Sequence, residues 1–169
     1  MRTFADTPRE NGELGLVVRH TSSLSEFDGY NDFFVRDDTL DATRIRATAL
    51  RGFGRVDTLD GRWRHEIFGS FVTTDNINRD GGTFLNRTDA EVFETGYQTG
   101  IDFGSEAFRH RVTGAIEHRT QRFIADDAEY FGGTNQRVSR DRTSFVLDYG
   151  LSAGGLALGA SVRRDRNDA

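Results

Sequence analysis

The chain has 169 residues, 22 lysine plus arginine residues, 27 aspartate plus glutamate residues and a formal net charge of −5. It has no cysteine and its basic residues are all arginine, which excludes disulfides, thiolate chemistry and lysine chemistry. The acidic balance argues against a nucleic-acid partner, and no stretch approaches the roughly 18 consecutive apolar residues of a membrane helix.

Apolar residues alternate with polar or small ones along most of the chain, a pattern typical of β-strands because successive side chains point to opposite faces. The clearest run is Phe93 to Phe103, with Phe, Thr, Tyr, Thr, Ile and Phe on one face. In chain order the alternation predicts strands near 12–23, 42–56, 62–75, 88–104, 107–121, 140–151 and 156–166. We therefore expect an all-β protein, an antiparallel up-and-down meander of about seven long strands.

The predicted connections alternate in length. Long polar loops are expected over 26–41, 75–87 and 122–138, and short turns over 57–61, 104–106 and 152–155. Outer-membrane barrels combine short turns on one rim with longer loops on the other, and they use strands of about this length. The sequence therefore predicts part of a transmembrane β-barrel, with the polar strand faces forming a hydrated inner wall.

Four aromatic residues lie within a few positions of the short turns, each on the apolar face of its strand. They are Trp63, Phe103, Phe108 and Tyr149. Aromatic residues in this position are typical of the girdle at a membrane interface. We predict that these four form such a girdle.

Several of these segments resemble a known family. The runs LGLVVRHT at 14–21, DGY at 28–30, DATR at 41–44 and LDGRWRH at 59–65 resemble the middle of the barrel in TonB-dependent outer-membrane receptors, especially the cobalamin-receptor-like branch. The closing segment 160–168 is similar to outward strands of the same barrels. The resemblance covers residues 12–168.

The resemblance implies a location in the cell outer membrane and a parent barrel of about 22 strands that surrounds a plug and takes up a scarce ligand such as cobalamin or a siderophore. The implied partners are outer-membrane lipid, the remainder of the barrel and its plug, and a TonB-type energy-coupling protein that acts through an N-terminal part. Seven strands are too few for such a barrel. We therefore expect residues 1–169 to be one partial barrel segment, a fragment without a plug domain.

The first long loop is rich in carboxylates, the hard oxygen ligands that Ca²⁺ prefers. The candidate ligands are Asp28, Asp32, Asp37, Asp38 and Asp41. The resemblance supports calcium, because cobalamin-receptor-like barrels bind it through acidic extracellular loops. The alternative is an acidic loop that is only solvated.

Aromatic side chains on the predicted long loops are candidates for contact with a bulky ligand such as a corrinoid or a siderophore. They are Tyr30, Phe33, Phe34, Phe84, Tyr130 and Phe131. The alternative for each is ordinary loop packing, because large apolar side chains also anchor long loops.

No spacing of residues indicates catalysis, so we predict that the chain is not an enzyme, and we expect no cofactor other than calcium. Two further functions stay open. One is a soluble or surface-exposed antiparallel β module that binds a ligand or calcium through its loops. The other is a small non-coupled outer-membrane barrel of about eight strands.

Overall fold

The computed structural model describes residues 11–30, 33–127 and 135–168. They form seven strands, β1 (Gly12–Tyr30), β2 (Arg36–Thr58), β3 (Trp63–Asp80), β4 (Thr83–Gly104), β5 (Phe108–Asp127), β6 (Gln136–Ala153) and β7 (Leu156–Asp168). The strands make one antiparallel sheet in sequence order. The predicted all-β up-and-down meander of seven strands is confirmed.

None of the described residues belongs to a helix that is long and apolar enough to cross a membrane.

Over most of the sheet the register places apolar residues on one face and charged residues on the other. Directly opposite residues of antiparallel neighbours share a face of the sheet. One such row crosses all seven strands through Leu14, Gly54, Ile67, Tyr97, Ile116, Phe145 and Arg164. We call the face that contains this row the apolar face. The other, which carries Arg55, Glu66 and Glu94, we call the charged face.

The apolar face is the more exposed of the two. On β4, Phe93, Tyr97 and Phe103 of the apolar face are exposed, whereas Glu94 and Asp102 of the charged face are half-buried and Gly96 is buried. Side chains crowd together on the concave side of a curved sheet, so the sheet curves toward its charged face. Among the described residues no hydrophobic side chain is buried, and the sheet therefore has no hydrophobic core of its own.

The short turns lie progressively farther along the strands from β2 to β7. One row of directly opposite residues contains Leu50, Phe93 and Asp141 and serves as a reference. Counted along the strand from this row, the last paired residue before the turn is eight residues away at Thr58, eleven at Gly104 and twelve at Ala153. The turns thus shift by about one residue per strand. With about 3.3 Å per residue and about 4.8 Å between strands, this shift corresponds to strands inclined by about 35° from the perpendicular to the line of the turns.

The predicted long loops are mostly strand, which corrects the expected loop lengths. β3 continues to Asp80 and β4 begins at Thr83, so the predicted loop 75–87 is a turn at Gly81 and Gly82, with φ values of 56° and 81°. β1 likewise extends to Tyr30 and β5 to Asp127. These segments lack apolar alternation because both of their faces are polar. Cross-strand hydrogen bonds hold them together. For example, the Thr43 hydroxyl donates to the Asn78 carbonyl oxygen and the Asn78 amide N–H donates to the Asn86 carbonyl oxygen, each at 2.7 Å.

Candidate functional site

The acidic residues predicted to bind calcium lie at the rim opposite the short turns. Asp28, Asp37 and Asp38 are exposed and Asp41 is buried, while Asp32 lies outside the described residues. Three of the four, Asp28, Asp38 and Asp41, line one cavity of about 540 Å³ together with Arg44 and Arg79. In the described ranges no three acidic or histidine side chains are grouped closely enough to hold a metal ion, and calcium binding stays a prediction.

The Asp41 side chain links the β1–β2 hairpin to the turn between β3 and β4. One carboxylate oxygen accepts a hydrogen bond of 2.7 Å from the backbone N–H of Gly81. The other accepts one of 2.7 Å from the hydroxyl of Thr39, whose oxygen accepts from the N–H of Gly29. The Gly82 N–H donates to the Leu40 carbonyl at 2.9 Å. We call this arrangement the Asp41 junction.

The hydrogen bond from the Gly81 amide, and after it the bond from the Thr39 hydroxyl, holds the pKa of the Asp41 carboxyl below its ordinary value. Because the folded pKa lies below the unfolded one, the carboxylate stabilises the junction at every pH above the unfolded pKa near about 4. This contribution is lost as the pH falls through the lower, folded pKa.

We expect Asp41→Asn to speed hydrogen exchange at the Gly81 amide at neutral pH, because the neutral side chain keeps only one acceptor oxygen. In the unsubstituted chain the same protection, corrected for intrinsic exchange, should hold at neutral pH and fall below about pH 4. Asp28→Asn is the matched control, since it removes an exposed carboxylate on β1. Equal effects of the two substitutions would contradict the role given to Asp41.

The candidate ligand-binding aromatics also lie at the outer rim. Tyr30 ends β1, Phe33 and Phe34 lie between β1 and β2, and Phe84 lies in β4. Phe33 and Phe34 are 85% and 88% exposed. None of these four lines the 540 Å³ cavity, so the structure does not bring them together there. Tyr130 and Phe131 lie outside the described residues, and ligand contact by the six stays a prediction.

The four predicted girdle residues lie on the apolar face beside the short turns. Trp63 begins β3, Phe103 precedes the last residue of β4, Phe108 begins β5, and Tyr149 faces Val112 of β5. They are 39%, 48%, 57% and 40% exposed in that order. The indole N–H of Trp63 donates to the Thr99 hydroxyl at 2.7 Å, so its polar end is satisfied while its ring stays exposed. Their position suits an interface, and the girdle role stays a prediction.

Two histidine–tyrosine pairs on the apolar face were missed by sequence reasoning. His65 Nδ1 lies 2.7 Å from the Tyr97 hydroxyl, and His110 Nδ1 lies 2.8 Å from the Tyr149 hydroxyl. His110 also stacks on Phe103, with ring centroids 5.1 Å apart. The paired residues are 32 and 39 positions apart, so only the register between strands brings them together. Near the short turns, the apolar face therefore carries aromatic rings whose polar atoms are hydrogen-bonded.

The charged face is a network of ion pairs near the short turns. Arg55 bridges Glu13 at 2.8 Å and Glu66 at 2.9 Å. Arg111 binds both carboxylate oxygens of Asp102, at 2.7 and 2.9 Å. This end of the face also contains a depression of about 120 Å³ lined by Arg111, Asp102 and Glu66 among others. The arrangement agrees with the cross-strand ion pairs expected for a hydrated wall.

Comparison with protein-family models, with curated proteins and with solved structures finds no match to this chain.

Proposed function

We propose that this chain is a wall segment of a transmembrane β-barrel in the outer membrane, and that its parent is a TonB-dependent receptor that takes up a scarce ligand. The observation that carries the membrane part is the inverted polarity of the sheet. Apolar side chains predominate on the exposed face, with Arg164 of β7 as an exception. Ion-paired side chains lie on the concave face near the short turns, and no described hydrophobic residue is buried.

This polarity suits lipid outside and water inside. A sheet in water must bury its apolar face against another layer, and the described residues form a single sheet. Lipid would cover the apolar face of a barrel wall, while a polar interior is typical of such barrels. The ion-paired face can then remain hydrated at little cost.

The dimensions support the same proposal. On β4 the apolar side chains extend from Phe93 to Phe103, and a strand tilted by roughly 45° covers about 23 Å in those ten steps, against an apolar band of about 25 Å in outer-membrane barrels. The inclination of about 35° derived from the turns lies within the usual tilt of barrel strands.

The open edges favour a segment of a larger wall. Among the described residues β1 pairs only with β2, and β7 only with β6. Unpaired strand edges are a template for further strands, which in a barrel would be the neighbouring strands of the wall. The receptor role itself is supported by the sequence resemblance.

The membrane part is tested by the fluorescence of Trp63, the only tryptophan. We expect the purified chain to lack a cooperative fold in plain buffer and to form β-structure in phosphatidylcholine vesicles, with a blue shift of the Trp63 emission. Lipids brominated near the headgroup should quench it more than lipids brominated at the chain ends, because Trp63 lies at the short turn end of the apolar face. A monomer that folds cooperatively in buffer would overturn the membrane proposal.

The receptor part is tested at the gene. We expect the reading frame around the segment that encodes this chain to continue into a plug domain upstream and further hairpins downstream. Flanking sequence without either would remove the receptor assignment and leave the membrane assignment to the fluorescence result.

A further inference from the structure

The charged face divides into two regions. Near the short turns each arginine that faces a carboxylate is bound to it, at 2.8 and 2.9 Å for Arg55, 3.2 Å for Arg64 and 2.7 Å for Arg111. In this lower region, near the short turns, the guanidinium groups of these three arginines are already paired with carboxylates. The region farther from the short turns is different.

Three arginines of the charged face meet on β5 and β6. Arg119 lies directly opposite Arg142, and Arg140, two residues from Arg142 on the same strand, lies opposite Gln121. Directly opposite Cα atoms are about 4.5–5.5 Å apart, so long side chains at these positions are within reach of one another. We call Arg119, Arg140 and Arg142 the upper arginine cluster.

The carboxylates beside the cluster are Glu94, Glu117 and Asp165, and Arg163 holds the last two. Glu94, opposite Arg119, is its nearest carboxylate, but the distance from Arg119 Nε is 3.9 Å, which is too long for a hydrogen bond. Asp165 lies close enough for the charge of Arg142 to act on it, but it is also held by Arg163 at 3.0 Å. Within the described ranges Arg140 and Arg142 make no side-chain hydrogen bond or ion pair.

Two costs in the structure point to an anion between these side chains. Like charges directly opposite each other destabilise a strand pair, as Arg119 and Arg142 are here. In addition, Arg119 Nε is buried without a hydrogen-bond partner among the described residues. Buried polar groups in native proteins are nearly always satisfied, by protein, water or a bound ion. An anion would remove both costs at once.

Uncharged residues beside the cluster do not neutralise its positive charge. The row of Arg140 places Val92 opposite Gln121, and the next row on the same face pairs Phe123 with Val138. In the row of Arg119 the strand β2 adds Arg51, whose guanidinium lies 4.8 Å from the centre of the Phe68 ring and has no carboxylate partner among the described residues. The excess of positive charge therefore extends along the row beyond β5 and β6.

We propose that the upper arginine cluster is a binding site for a small polyanion, a molecule with at least two carboxylate or phosphate groups. Guanidinium groups bind both kinds of group through two parallel hydrogen bonds. Arg119 and Arg142 would bind one anionic group between them, and Arg140 a second. The proposal rests on the proposed function in one respect, that the concave face is an inner wall along which such a molecule could pass.

The test is calorimetric titration of the folded chain with citrate and with tripolyphosphate, in vesicles or in buffer, whichever medium the chain folds in. We expect saturable binding of at least one of them. The double variant R140Q/R142Q should weaken it by about 100-fold, roughly tenfold for each charge-assisted hydrogen-bonding group lost. The matched control is R137Q/R164Q, which removes the same charge from the apolar face of β6 and β7 and should change the affinity by less than about twofold.

The outcomes separate the two proposals. If both double variants weaken the affinity equally, net charge alone explains the effect, and the proposed site is overturned. The absence of saturable binding in a chain shown to be folded would also overturn it. Binding of an acidic peptide such as hexaglutamate, with neither small anion bound, would assign the cluster to a protein partner and overturn the small-molecule site. Folding in buffer overturns only the membrane proposal, because the titration is then carried out in buffer.

Discussion

Replacing Ile67 with arginine should cost about 2–4 kcal/mol of folding free energy in a bilayer, the penalty for arginine on the lipid face at the membrane midplane. Ile67 is 61% exposed on the apolar face and lies halfway between Trp63 and Phe71 on β3. The measurement is denaturant-induced unfolding of the chain in phosphatidylcholine vesicles, followed by the emission of Trp63.

The matched control is Gln98→Arg on the neighbouring strand. Gln98 lies on the charged face, directly opposite Glu66, so an arginine there would face water and a carboxylate. Its effect should stay within about 0.5 kcal/mol, as for ordinary surface substitutions. If both substitutions cost the same, or if Ile67→Arg costs nothing in vesicles, the apolar face does not contact lipid.

The second large effect is expected at Gly104, where β4 ends in a short turn. Its φ is 115°, a conformation that side chains with a Cβ rarely adopt, and an added Cβ would overlap the backbone carbonyl oxygen of Phe108. The turn cannot relax freely, because that oxygen accepts a hydrogen bond of 2.8 Å from the Ser105 N–H. Gly104→Ala should therefore cost about 2–4 kcal/mol, from backbone strain together with overpacking.

Gly150→Ala tests whether glycine replacement alone has this effect. Gly150 lies inside β6 without a positive φ, and an added Cβ there meets nothing within 4 Å. This substitution should leave the unfolding free energy unchanged or raise it slightly, because alanine has less backbone entropy to lose than glycine. The same unfolding titration serves both variants, and a loss at Gly150 equal to that at Gly104 would contradict the turn argument.

The apolar alternation predicted the strands well where one face is apolar. From Phe93 to Phe103 the period of two identified both faces of β4, because every second side chain must point to the same side. It failed where both faces are polar. The segment from Asp75 to Arg87 was expected to be a loop, yet it belongs to β3 and β4 apart from the turn at Gly81 and Gly82. Its ladder is supported by hydrogen bonds between side chains such as Asn78 and Asn86.

Which residues meet at the candidate sites depends even more on the register between strands. The composition of its segment predicted Asp41 as a calcium ligand. In the structure its carboxylate binds the backbone N–H of Gly81, which is 40 residues away and lies at the turn of the next hairpin. Because a backbone amide has no distinctive sequence, nothing in the segment around Asp41 could indicate this contact.

By itself the sequence determined the fold class, the number of strands and the two chemically different faces, because the side-chain alternation of a strand is a local property. Only the tertiary structure decided which side chains meet across strands, such as Arg119 with Arg142 and His65 with Tyr97. It also decided that the charged face is the concave one. These features depend on register and curvature, which arise from the pairing of neighbouring strands and leave no local signal in any one of them.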